Sequence, residues 1–88
     1  MKSRKLKVWG GGTDYKHEQV RAIVCARTKK DAIEFINKSP LRSISYTYFT
    51  NYWCETGNSL ELQLCSEEGN IWYVLCKDQY CNDYIKIS

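Results

Sequence analysis

Thr28-Lys29-Lys30-Asp31 opens a helix that Ser39-Pro40 closes, and this bounded segment constrains the chain more than any other feature. The threonine hydroxyl can accept a hydrogen bond from an early helix N–H, and an acid three residues on can reach back. The residue before proline avoids the helical region, so the helix ends there. Ala32, Ile33, Phe35 and Ile36 give the span 28–38 an apolar face, and Lys29, Lys30, Glu34 and Lys38 give it a wet one.

β-type segments flank this helix. Lys5 to Trp9 alternates polar and apolar residues before Gly10-Gly11-Gly12, and Gln19 to Arg27 is rich in Val, Ile and Ala. The pair predicts an opening hairpin with a long, mobile polar loop that carries Tyr15, Lys16 and His17. Ile71 to Cys76 reads as a strong strand, and Tyr84 to Ile87 as a short edge strand.

Two stretches fit either regular structure. Ile44, Tyr46 and Tyr48 alternate with Ser43, Ser45 and Thr47, while Leu41, Ile44, Tyr48 and Tyr52 also form a helical stripe; β-propensity favours strand for the centre of 43–53. Glu55 to Asn58 then supplies a turn. Leu60, Leu62 and Leu64 alternate with Glu61 and Gln63 as the first arm of a second hairpin, and the competitor is a short helix over 59–66 capped by Ser59 or Asn58, with Gly69 as its exit. The resulting expectation is an α+β fold: an antiparallel sheet of about four to five strands packed on one main helix (28–38), with room for a second short helix.

At 88 residues there is space for one domain (1–88) and one core, and 43% hydrophobic and 14% aromatic residues suffice to fill it. No apolar run reaches the length of about 20 residues that a membrane helix needs. Met1 to Lys5 is followed by no apolar signal core, which predicts a soluble, cytoplasmic chain with no membrane partner. Five cysteines, Cys25, Cys54, Cys65, Cys76 and Cys81, are an odd number, and in that compartment they read as reduced thiols. The closest pair, Cys76 and Cys81, has the wrong spacing for a common zinc module, so no metal and no cofactor is expected.

No set of residues with catalytic spacing stands out. His17 beside Glu18 reads as a solvated side chain, and Gly10-Gly11-Gly12-Thr13 lacks the lysine and helix of a phosphate loop. The chain is therefore expected not to be an enzyme. Residues 1–44 hold 11 Lys/Arg against four acids and residues 45–88 two against six, so the halves carry +7 and −4. Two binding surfaces follow. Tyr52, Trp53, Glu55, Asn58, Glu67 and Glu68 combine aromatic anchors with a turn and acids that suit a protein partner; Asp78 and Asp83 extend the acidic run. Lys16, Arg27, Lys29, Lys30, Lys38 and Arg42 suit a phosphate backbone, in one version through a helix-turn-helix pair made from 28–38 and 43–53.

Val20-Arg21-Ala22-Ile23-Val24, Thr28-Lys29-Lys30-Asp31-Ala32, Tyr52-Trp53-Cys54-Glu55-Thr56-Gly57-Asn58 and Gly69-Asn70-Ile71-Trp72 resemble segments of small uncharacterised bacteriophage and prophage accessory proteins. The resemblance spans residues 5–75, and its motifs are not diagnostic of one activity. It implies an anti-defence inhibitor of the anti-CRISPR type, acting on a bacterial protein or ribonucleoprotein complex. It also implies more helix around Tyr48 and Leu62 than propensity gives. The alternative is a small DNA- or RNA-binding regulator that uses the basic N-terminal half.

Overall fold

The computed structural model describes residues 5–75 and 84–87. Cys76, Cys81, Asp78 and Asp83, named above for their thiols and charges, lie outside the described residues. Among the described residues five strands form one antiparallel sheet: β1 (Lys7–Tyr15), β2 (Glu18–Ala26), β3 (Trp53–Glu55), β4 (Ile71–Leu75) and β5 (Ile85–Lys86), in the order β3-β1-β2-β4-β5. Three helices among the same residues, α1 (Lys29–Lys38), α2 (Tyr46–Tyr52) and α3 (Ser59–Leu64), give the α+β architecture.

Strand β2 is the centre of the molecule. Val20 and every residue from Ala22 to Ala26 are buried, because α1 and α2 cover one face of the sheet and α3 packs beside β1 on the other. An apolar run without alternation is what a strand covered on both faces requires. On the α1/α2 face, Trp9, Ala22, Val24 and Ile71 meet Ala32, Ile36, Leu41, Phe49 and Trp53. Helix α1 begins as the sequence predicts, with Thr28 Oγ1 accepting from Asp31 N–H at 3.1 Å, and Ser39 closes it by donating its N–H to the Ile36 carbonyl.

The glycine run is strand and not loop. β1 continues through Gly10-Gly11-Gly12 to Tyr15, and the hairpin turns on two residues, Lys16 and His17, both at positive φ (52° and 66°). A two-residue turn with both residues left-handed matches the right-handed twist of the arms, so the expected long mobile loop is replaced by a tight connection. Gly11 is in the strand because a side chain there has no room: a Cβ would stand 2.4 Å from Trp53 Cγ. At Gly10 it would meet the Arg21 guanidinium at 2.6 Å, whereas at Gly12 it would meet nothing within 4 Å.

Both ambiguous stretches are helical. Residues 46–52 fold as α2, with Ser45 Oγ accepting from Tyr48 N–H at 3.1 Å, and the β-propensity of the segment is overridden by this cap and by burial of Phe49. The inward pair is Phe49 and Trp53, four residues apart and stacked at 5.5 Å, so the stripe through Tyr48 and Tyr52 faces outward instead. Leu60 to Leu64 is likewise the helix α3 and not a hairpin arm; Asn58 Oδ1 accepts from Leu60 and Glu61 N–H, and Gly69 follows at φ 92°. The strand expected within the aromatic segment begins only at Trp53, where β3 pairs Gly11 with Trp53 and Trp9 with Glu55. The edge strand near the end of the chain is β5, paired with β4.

These contacts predict opposite outcomes for neighbouring glycines. Gly11→Ala is expected to destabilise the fold by about 2 kcal/mol or more through overpacking against Trp53, and Gly12→Ala to change it by no more than about 0.5 kcal/mol. Urea denaturation followed by tryptophan fluorescence measures both.

Candidate functional site

Helix α2 presents an uncharged aromatic surface. Its seven residues, Tyr46 to Tyr52, contain no charge, and Tyr46 (60%), Tyr48 (38%) and Tyr52 (66%) are exposed. Tyr48 and Tyr52 are one helical turn apart, and their rings lie 4.7 Å apart at 41°. Beneath them the Phe49 ring stacks on Trp53 and meets Trp9 at 5.8 Å. The outer rings therefore stand on an aromatic core that fixes the helix, and rigid exposed tyrosines offer contact area at small entropic cost.

Beside this helix lies a cleft of about 530 Å³ between the hairpin and the segment that enters α2. Thr13, Asp14 and Val20 line it from the hairpin, and Arg42, Ser45 and Tyr48 from the other side. Tyr48 OH donates to the Gly12 carbonyl at 3.3 Å, and Arg42 Nη1 stands 3.4 Å from Asp14 Oδ2. Both links are exposed, so they define the cleft without adding much stability.

The residues expected at a protein interface are dispersed. Tyr52 is exposed on α2, but Trp53 is 4% exposed and belongs to the core, which removes it as a surface anchor. Glu55 pairs with Lys7 at 3.7 Å, Asn58 caps α3, and Glu68 pairs with Arg27 at 3.6 Å. Glu67 is exposed in the link after α3. The basic set is dispersed too. Lys16 sits at the hairpin tip, 5.2 Å from the Tyr15 ring, Arg42 faces Asp14, and Lys29 is half-buried at the start of α1. Lys30 and Lys38 share an exposed helix face with Glu34 between them, while Lys38 also lines a shallower cleft of about 340 Å³ with Phe35 and Glu68. Among the described residues, the ion pairs Lys7–Glu55, Arg21–Glu61 and Arg27–Glu68 join the basic half to the acidic half, so part of the polarity of the sequence is paired in the fold.

Sequence reasoning missed Glu61. It sits between alternating leucines and reads as the wet side of a strand, yet it is fully buried, whereas Leu62 is 47% exposed. Its carboxylate accepts from Arg21 Nε (2.7 Å) and Nη2 (2.9 Å), Thr56 Oγ1 (2.6 Å) and Tyr84 OH (2.5 Å). Four bonds fill its acceptor positions. Burial alone pushes this carboxyl up, but the hydrogen bonds of Arg21, Thr56 and Tyr84 and the guanidinium charge outweigh it and bring the pKa down to about 2. Burial and then the Glu61 bond push Tyr84 up to about 12. A carboxylate held this way is not a proton acceptor at neutral pH; it ties α3, β2 and the chain end together. Its partner in β2 is 40 residues away, and no local pattern announces such a pair.

Among the described residues no three His, Cys, Asp or Glu converge on a point that could hold a metal ion, and no helix is long and apolar enough to cross a membrane. No known family, no curated protein and no solved structure matches this chain.

The Glu61 cluster gives a signed pH prediction. Because the folded carboxyl is depressed, its stabilisation is complete above about pH 4.5 and is lost as pH falls towards 2. Arg21→Met leaves the carboxylate buried without its partner and should cost about 3 kcal/mol at pH 7. In urea melts the gap between variant and wild type should narrow from pH 5 to pH 3, since protonation relieves the unpaired charge.

Proposed function

We propose that the protein is a non-enzymatic binding protein that docks on a protein partner through the tyrosine face of α2. The observation that carries this reading is the set of Tyr46, Tyr48 and Tyr52, exposed on one uncharged helix whose Phe49 is stacked in the core on Trp53. Tyrosine is enriched among residues that dominate binding energy, and a core-braced helix loses little freedom when it docks. The resemblance of four sequence segments to phage and prophage accessory proteins supports a partner in a bacterial defence or nucleic-acid-handling complex, with the protein as its anti-CRISPR-like inhibitor in the host cytoplasm.

A second reading rests on a different observation. Helices α1 and α2 are consecutive and packed on each other, and α2 exposes the hydrogen-bonding side chains of Thr47, Thr50 and Asn51. That arrangement suits a helix pair whose second member enters a groove of DNA, with Arg42, Lys38 and Lys16 near phosphates. It is the weaker reading because Arg42 faces Asp14 and Glu34 lies between the exposed lysines of α1.

One comparison separates them. Tagged wild type, Tyr46→Ser/Tyr52→Ser and Lys30→Glu/Lys38→Glu are used to capture partners from bacterial lysate, with and without nuclease. A protein retained after nuclease treatment, whose affinity falls about 30-fold in the tyrosine variant and less than threefold in the charge variant, is the expected result. Capture that disappears on digestion, weakens steeply with salt and follows the charge variant would instead establish the nucleic-acid reading.

A further inference from the structure

Two thiols from distant parts of the chain meet on the face of the sheet covered by α3. Cys25 is in β2 opposite Val8, and it is fully buried. Cys65 is the C-cap of α3, partly exposed, with its Sγ 3.9 Å from the carbonyl of Lys7, the neighbour of Val8 in β1. Lys7 precedes Val8 in β1 and Val8 stands opposite Cys25, so the Cys65 sulfur lies over the stretch of the β1–β2 pair that holds the Cys25 thiol. The backbone of Cys25 is pinned on both sides: its N–H donates to the Asn70 carbonyl at 2.9 Å, and its carbonyl accepts from Gly69 N–H at 2.7 Å. Cys65 stands at the partly exposed C-cap of α3. One thiol is therefore hidden, and the other is reachable by a small reagent.

We propose that Cys25 and Cys65 form a thiol–disulfide exchange site that low-molecular-weight disulfides such as oxidised glutathione convert to an intramolecular disulfide. In the first step the Cys65 thiolate attacks one sulfur of the disulfide; the new S–S bond forms a mixed disulfide and one glutathione thiolate leaves. In the second step the Cys25 thiolate attacks the Cys65 sulfur and expels the second glutathione. Two protein thiols are oxidised, one glutathione disulfide is reduced to two thiols, and the two protons pass to the leaving thiolates and solvent. Burial, and then the neighbouring Cys65 thiol, push the Cys25 thiol well above its ordinary range, so the second step is the slow one and accelerates with rising pH. The product clamps the end of α3 to the central strand and closes a loop that contains α1, α2 and β3, so α2 and its tyrosines lie inside the constrained segment.

The 88-residue chain incubated with oxidised glutathione at pH 7 and pH 9 tests this by intact-mass analysis and non-reducing peptide mapping. The expected product is a Cys25–Cys65 linked peptide, formed through a transient glutathione adduct on Cys65 and closing at least tenfold faster at pH 9. Its melting temperature should exceed that of the reduced form by roughly 5 °C or more. Cys65→Ser should yield no such link, and Cys25→Ser should stop at the adduct. Wild-type protein in which Cys25 and Cys65 both remain alkylatable in urea after this treatment, or in which Cys65 links only to another cysteine, would overturn the proposal; this readout does not depend on either variant folding.

Discussion

The indole of Trp53 lies over the bare backbone of Gly11, and the rest of the structure depends on that contact. With no Cβ at Gly11 the ring can approach β1 to a distance no side chain would permit, and Phe49 stacks on it from one helical turn before. Phe49 then reaches Trp9, so β1, α2 and β3 share one aromatic column. The column fixes the rotation of α2. With Phe49 and Trp53 turned inward, Tyr48 and Tyr52 lie on the flank of the helix and remain exposed, and Thr47, Thr50 and Asn51 are exposed as well.

The opposite face of the sheet is organised by charge instead of aromatic packing. Glu61 is surrounded by donors from three separate parts of the chain, and the two bonds from Arg21 are parallel, as a guanidinium and a carboxylate prefer. Such a cluster specifies one arrangement more than it adds net stability, since desolvating the two charges offsets much of their attraction. It explains why a helix as short as α3 holds its place: six residues bury little apolar surface, but its buried carboxylate fits one position only.

The same pairing bears on function. An electrostatic reading of the linear sequence puts a basic half against an acidic half, whereas in the fold three pairs link the two halves across β1, β2 and their neighbours. The uncharged α2 contrasts with the charged surface around it. The proposed docking surface rests on these exposed tyrosines and not on net charge.

The sequence by itself determined the elements whose signals are local. The α1 boundaries follow from Thr28 and Ser39-Pro40, the central strand from the unbroken apolar run of β2, and the closing strands from Ile71 to Leu75 and Ile85. These rest on hydrogen bonds and burial patterns within a few residues, and the α+β class follows from their order. Only the tertiary structure decided the fate of Gly10-Gly11-Gly12, of 46–52 and of 59–64. In each case the deciding partner is remote: Trp53 makes Gly11 a strand residue, Trp9 and Trp53 draw Phe49 inward, and Arg21 turns Glu61 from a solvent residue into a buried one. Of the three tyrosines of the candidate site, only Tyr52 was read from the sequence as a contact residue; which rings face solvent was not legible, since alternation and helical periodicity fit the segment equally well until a core exists to choose between them.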